Sequence, residues 1–212
     1  MNTEQPALLE KSYQRHLENY LRVDYEPQWL HGQLENQNFA IQLKLLWSCS
    51  DFVAEQAAAD PRSFQQLVES GDLQRSYDDN DYMQRLQARI EQLPGTCCEE
   101  QLSRELRLFR RREMMRIIWR DYSRQAPMLE TTRDATLLAE ACINTALQYL
   151  QPVIREELGT PIGRASGTEQ QLLVIAMGKM GAYELNISSE IDLICAYPES
   201  GETQGGRRSV SN

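Results

Sequence analysis

Glu190 and Asp192 stand two residues apart at the head of a short apolar run, and Gly178, Lys179 and Gly181 form a glycine turn upstream of them. On a strand, side chains at i and i+2 project from one face, with Cα atoms roughly 6.5–7 Å apart. That spacing suits two carboxylates gripping divalent ions roughly 3.5–4 Å apart. The glycines permit backbone geometry that a Cβ obstructs, and they let a phosphate approach the main-chain N–H groups. Lys179 adds a positive charge to the turn, and Ser188 and Ser189 can hydrogen-bond a phosphate or fix the turn before the second strand. The chemistry these residue types suit is metal-assisted transfer at phosphorus. Spacing alone leaves open a solvated strand edge for Glu190 and Asp192 and a surface lysine for Lys179.

The positioning elements are two apolar runs, Leu172–Met177 and Leu193–Tyr197, each short and bounded by turn residues, which predicts buried strands. Gly159–Gly167 upstream and Glu199–Asn212 downstream read as loops. Two short strands do not make a stable sheet, so the chain is expected to stop inside a domain.

Most of the first 157 residues read as helix. Apolar residues near helical spacing mark a first helix over Glu4–Val23, which Pro27 breaks, with Trp29 and Leu30 packed at a corner. A second helix is expected over Asn36–Ala59, stopping at Asp60-Pro61 because the residue before proline is pushed out of the α region. A short helix through Phe64, Leu67 and Val68 ends at Gly71, and Asp79 or Asn80 can cap the next, Tyr82–Leu93, closed by Pro94-Gly95. A long helix follows over Glu99–Arg124 and another over Thr131–Glu157. Trp47, Phe52 and Trp119 are assigned to the core, and His16 and His31 to the surface. The expected division is a helical region at 1–127 and an incomplete catalytic domain at 128–212.

The long helix carries Arg104, Arg107, Arg110, Arg111, Arg112, Arg116, Arg120 and Arg124. They are read as a solvated face paired with Glu100, Glu105, Glu113 and Asp121. With 22 basic against 31 acidic side chains, the chain as a whole is not drawn to nucleic acid or anionic lipid. The sequence holds no apolar run of the roughly 18 residues that span a bilayer, and its first residues lack a signal-peptide pattern. Cys49, Cys97, Cys98, Cys142 and Cys195 have no disulfide-framework or zinc-knuckle spacing, so free thiols in a reducing cytoplasm are expected.

Gly178-Lys179, ten residues, then Glu190-Ile191-Asp192 resembles the Gly-Ser, ten residues, Asp-x-Asp pattern of DNA polymerase β-like nucleotidyltransferases, with lysine for the serine and glutamate for the first aspartate. More closely, GKMGAYELNISSEIDLICAYPE resembles the bifunctional glutamine synthetase adenylyltransferase/adenylyl-removing enzymes, as do WSCSDFVAEQAAADP, LVESGDL, LRLFRRREMMRIIWRDY and GGRRSVSN. Glu184-Leu185-Asn186-Ile187-Ser188-Ser189 follows the version of the motif found in that family's N-terminal, adenylyl-removing half.

The resemblance implies a mainly α N-terminal region followed by the start of an α/β (α+β) nucleotidyltransferase core. It implies phosphorolysis of AMP–tyrosine on glutamine synthetase, with phosphate in and ADP out. Glu190 and Asp192 would hold Mg2+, and Gly178, Lys179, Gly181, Ser188 and Ser189 would bind nucleotide or phosphate. Glutamine synthetase and a PII-type signal protein are the implied partners, and ADP or ATP the nucleotide. A third carboxylate is expected beyond Asn212, so the chain is expected to be inactive by itself. The rival readings are the ATP-dependent adenylyltransferase half and a non-catalytic helical docking module.

Overall fold

The computed structural model describes residues 4–24, 26–93, 98–208 and 210–211. Cys97, the Pro94-Gly95 helix stop, Ser209 and Asn212 lie outside the described residues. The elements run α1 (Glu4–Val23), α2 (Pro27–Leu34), α3 (Gln37–Cys49), α4 (Asp51–Ala59), α5 (Pro61–Glu69), α6 (Asp81–Ile90), α7 (Glu99–Tyr122) and α8 (Met128–Leu158). Then come β1 (Thr160–Gly163), β2 (Leu173–Ala176), α9 (Gly178–Gly181), β3 (Leu193–Ala196) and β4 (Gly201–Gln204). A mainly helical region therefore leads into a small α/β part, as expected. Among the described residues, no helix is long and apolar enough to cross a membrane.

Local chemistry sets several helix ends. Asp60 accepts from the Ser63 N–H and Pro61 opens α5, a position where its missing N–H costs nothing. Gly71 takes φ +73°, the left-handed turn that ends α5. Pro27 also begins a helix, α2, where only a corner was expected. The single helix expected over Asn36–Ala59 is two, because Ser50 turns extended (φ −135°, ψ 97°) and its hydroxyl caps α4 at Val53. Asn36 caps α3 through Asn38 and Phe39.

The chain divides into two compact units, each built from two separate stretches: 1–78 with 108–134, and 79–107 with 135–212. The first unit has an aromatic centre. Phe39 stacks on Trp119 with centroids 5.3 Å apart, and Phe64 meets Tyr20, Trp47 and Trp119. Trp47 and Trp119 are fully buried as expected, whereas Phe52 is only half-buried.

Two polar assignments change in this unit. His16 is buried, not superficial: it lies on the same stripe of α1 as Tyr13 and Tyr20, and its Nε2 meets Asp51 Oδ1 at 2.8 Å. The arginines of α7 are not all solvated. Arg104, Arg107, Arg110, Arg111 and Arg124 are exposed, but Arg112, Arg116 and Arg120, one helical turn apart, point inward. Arg112 pairs with Asp72 at 2.6 Å and with Glu113, Arg116 with Asp134 at 3.0 Å, and Arg120 with Glu130 at 2.7 Å. Their other N–H groups reach carbonyls of the irregular segment after α5, at Asp72, Leu73 and Arg75. Burial opposes the charge on Arg112, but Glu113 and Asp72 outweigh it and hold the guanidinium above its ordinary range.

In the second unit, β1 pairs antiparallel with β4 (Thr160↔Gln204 to Gly163↔Gly201), and β2 with β3 (Leu173↔Ala196 to Ala176↔Leu193). The β1–β4 pair replaces the loops expected on both sides of the motif. Its strands carry Pro161 and glycines, which weaken any strand signal, and their partners lie far apart in the chain. The strands expected to be buried are only half so. Leu173 and Ile175 are each 47% exposed and Ile194 49%, because each strand of the two-stranded β2–β3 sheet has a single neighbour.

Candidate functional site

The site is built on β2, α9 and β3. The ladder of β2 and β3 continues one rung past Ala176↔Leu193, since the Met177 N–H donates to the Asp192 carbonyl at 2.9 Å. The backbone of Asp192 is thereby fixed beside the residue that enters the glycine turn. Met177 is extended (φ −107°, ψ 170°), and Gly178 then takes φ +55°, a left-handed conformation that favours glycine. Gly181 is required for a different reason: a Cβ there would sit 2.4 Å from the Ala176 carbonyl oxygen. The helical turn α9 therefore packs its backbone onto the end of β2.

Two apolar side chains fasten this turn to α8. Met180 and Leu185 are buried against Ala135, with Ala139, Ile143 and Ala176 around them. Lys179, adjacent to Met180, stays exposed. The turn closes through Gly181 N–H to Met177 O (3.3 Å), Ala182 N–H to Gly178 O (3.1 Å) and Glu184 N–H to Lys179 O (2.8 Å).

Downstream, Asn186 organises the approach to β3. Its Oδ1 accepts from the Ser189 hydroxyl at 2.7 Å, the Ser188 N–H at 3.1 Å and the Ser188 hydroxyl at 3.3 Å. Both serine hydroxyls thus fix the turn, an Asx arrangement. Glu190 and Asp192 follow, both exposed and just ahead of β3, which begins at Leu193 rather than at the carboxylates. Glu190 lies two residues before the rung that fixes Asp192.

Among the described residues no three His, Cys, Asp or Glu side chains gather into a metal-ligand set. The donors that the motif offers are Glu190 and Asp192, both exposed. Two exposed carboxylates fit a magnesium ion, which keeps several waters and takes one or two carboxylates alongside substrate phosphates.

Sequence reasoning missed Asn186, Tyr183 and Glu140. Asn186 was signalled by the Asn-x-Ser-Ser pattern before a strand. The Tyr183–Glu140 hydrogen bond (2.8 Å) spans 43 residues and leaves no local trace.

The chain belongs to the glutamate-ammonia ligase adenylyltransferase family, whose model matches residues 40–212. It is 48% identical over 165 residues to the bifunctional glutamine synthetase adenylyltransferase/adenylyl-removing enzyme of Pseudomonas aeruginosa, covering 78% of this chain and 16% of that protein. The enzyme of the same description from Nitrosococcus oceani is 46% identical over 170 residues, covering 80% and 17%. The one from Neisseria meningitidis serogroup A is 51% identical over 109 residues, covering 51% and 12%. The chain thus spans a small part of the length of the curated relatives it matches.

Proposed function

We propose that this chain carries the adenylyl-removing site of an enzyme that regulates glutamine synthetase in the cytoplasm. In the reaction, an oxygen of inorganic phosphate attacks the phosphorus of the AMP–tyrosine diester. The bond from phosphorus to the tyrosine oxygen breaks, the phenolate takes a proton, and ADP leaves.

The observation that supports this reading is the Met177–Asp192 rung, which joins the glycine turn to the carboxylate-bearing strand end. The ELN-x-SS form of the motif supports the adenylyl-removing direction. Transfer at phosphorus needs in-line positioning and charge neutralisation more than covalent help. Glu190 and Asp192 would hold magnesium, which supplies charge neutralisation at the phosphoryl oxygens. The Gly178–Gly181 backbone and Lys179 would receive phosphate oxygens, while Ser188 and Ser189 hold the approach to β3 in shape. Glutamine synthetase is the substrate protein, and a PII-type signal protein the regulatory partner.

The test is a titration of the 212-residue chain with Mn2+, read by paramagnetic broadening of backbone amides. Broadening centred on Met177–Lys179 and Glu190–Asp192, lost in the Glu190→Gln/Asp192→Asn double variant, is expected. Broadening elsewhere, or none, overturns the site. Any turnover of adenylylated glutamine synthetase with magnesium and phosphate yields ADP; pyrophosphate released from ATP and the unmodified enzyme is the contrary result.

A further inference from the structure

Tyr183 has φ +59°, one of two side-chain-bearing residues in the left-handed region among those described. That backbone costs free energy for a residue with a Cβ and persists only where the surroundings fix it. The fixing contacts are visible. The Tyr183 N–H donates to Met180 O at 3.1 Å, and the Glu184 N–H donates to Lys179 O at 2.8 Å. The Tyr183 hydroxyl donates to Glu140 Oε1 on α8 at 2.8 Å. This hydrogen bond, with burial and the Glu140 charge adding to it, pushes the phenol above its ordinary range.

Met180 and Leu185, on either side of Tyr183 in sequence, bury against the stretch of α8 that includes Ala139 and Ile143 around Glu140. The segment Gly178–Leu185 is thus held at two ends. At one end is the Met177–Asp192 rung; at the other is α8, gripped by two apolar side chains and one hydroxyl. The hydroxyl is the directional tether. Apolar contacts tolerate small rotations, whereas a hydrogen bond is lost outside a narrow angle.

We propose that Tyr183 is a positioning residue whose hydroxyl, tied to Glu140, sets the orientation of the Gly178–Gly181 turn and Lys179 toward Asp192. The proposal rests on the site reading above. It assigns no contact with substrate to Tyr183.

The experiment compares the unmodified chain with Tyr183→Phe, Glu140→Ala and Glu140→Gln, each checked for unchanged helical content. Amide exchange is followed at Gly181, Ala182, Tyr183 and Glu184, together with Mn2+ affinity. Tyr183→Phe and Glu140→Ala each speed exchange and weaken Mn2+ binding by roughly three- to tenfold, the scale of one lost hydrogen bond. Glu140→Gln keeps an acceptor and restores near-parental values, and the Tyr183→Phe/Glu140→Ala double variant adds nothing to either single change. Exchange and affinity within twofold of the parent in Tyr183→Phe overturn the proposal, as does failure of Glu140→Gln to rescue. If the unmodified chain binds no Mn2+, the site reading fails separately, and the exchange series decides whether Tyr183 orients the turn.

Discussion

Arg116 lies over the Tyr77 ring, its Cζ 3.4 Å from the centroid, with its side chain fully buried and its guanidinium paired to Asp134. A buried cation in this position has several partners at once. It donates to Asp134 Oδ2 and to the carbonyls of Asp72 and Arg75, while Arg133 shares Asp134 through Oδ1 at 2.9 Å. Asp134→Ala is therefore expected to destabilise the chain by about 3–5 kcal/mol, the cost of leaving a buried charge uncompensated. Urea unfolding followed by tryptophan fluorescence checks this, since Trp47 and Trp119 are buried in the same unit. An effect below about 1 kcal/mol would show that the charge is solvated.

The two glycines of the turn predict different outcomes. Gly178→Ala meets open space and loses only the left-handed preference, a cost of about 1–2 kcal/mol. Gly181→Ala drives a Cβ against the Ala176 carbonyl, a backbone atom that cannot swing aside. The end of β2 must move, so protection of the Met177 amide, whose acceptor is Asp192, is expected to drop far more in Gly181→Ala than in Gly178→Ala. Equal losses in both variants would refute the close approach.

Glu199 gives a pH dependence. Hydrogen bonds from Ser166 and from the Ala165 N–H, at 2.8 Å for the latter, hold its carboxyl below the ordinary carboxylate range. A depressed folded value means the carboxylate stabilises the folded loop above the unfolded value, about 4.3, and the contribution fades as pH falls through the lower folded one. Acidification from pH 5 should therefore deprotect the Ala165 and Ser166 amides beyond intrinsic exchange, and Glu199→Gln should remove that pH dependence.

Local signals in the sequence were enough for α1, the Asp60-Pro61 break, the Gly71 terminus, and the two apolar runs around the glycine turn. Each is decided by caps, prolines, glycines or periodicity within a few residues. The break at Ser50 was hidden because apolar spacing continues from Leu46 to Val53 across it. Arg116 and Arg120 read as surface because the acidic residues that neutralise them, Asp134 and Glu130, come from another helix. Pairing of Thr160–Gly163 with Gly201–Gln204 was invisible for the same reason: the partner lies distant in sequence and neither stretch favours strand by itself. At the candidate site, the glycine turn and carboxylates were legible as residue types, but the tether through Tyr183 was not.

The interleaving of the two units bears on synthesis. The first unit takes its second stretch from 108–134, and the second has already contributed 79–107 by then. A ribosome making this protein N-terminus first must release residue 134 before the Arg116–Asp134 pair can close. Until Trp119 has emerged the aromatic centre is incomplete, and the earliest helices have their apolar faces open to chaperones.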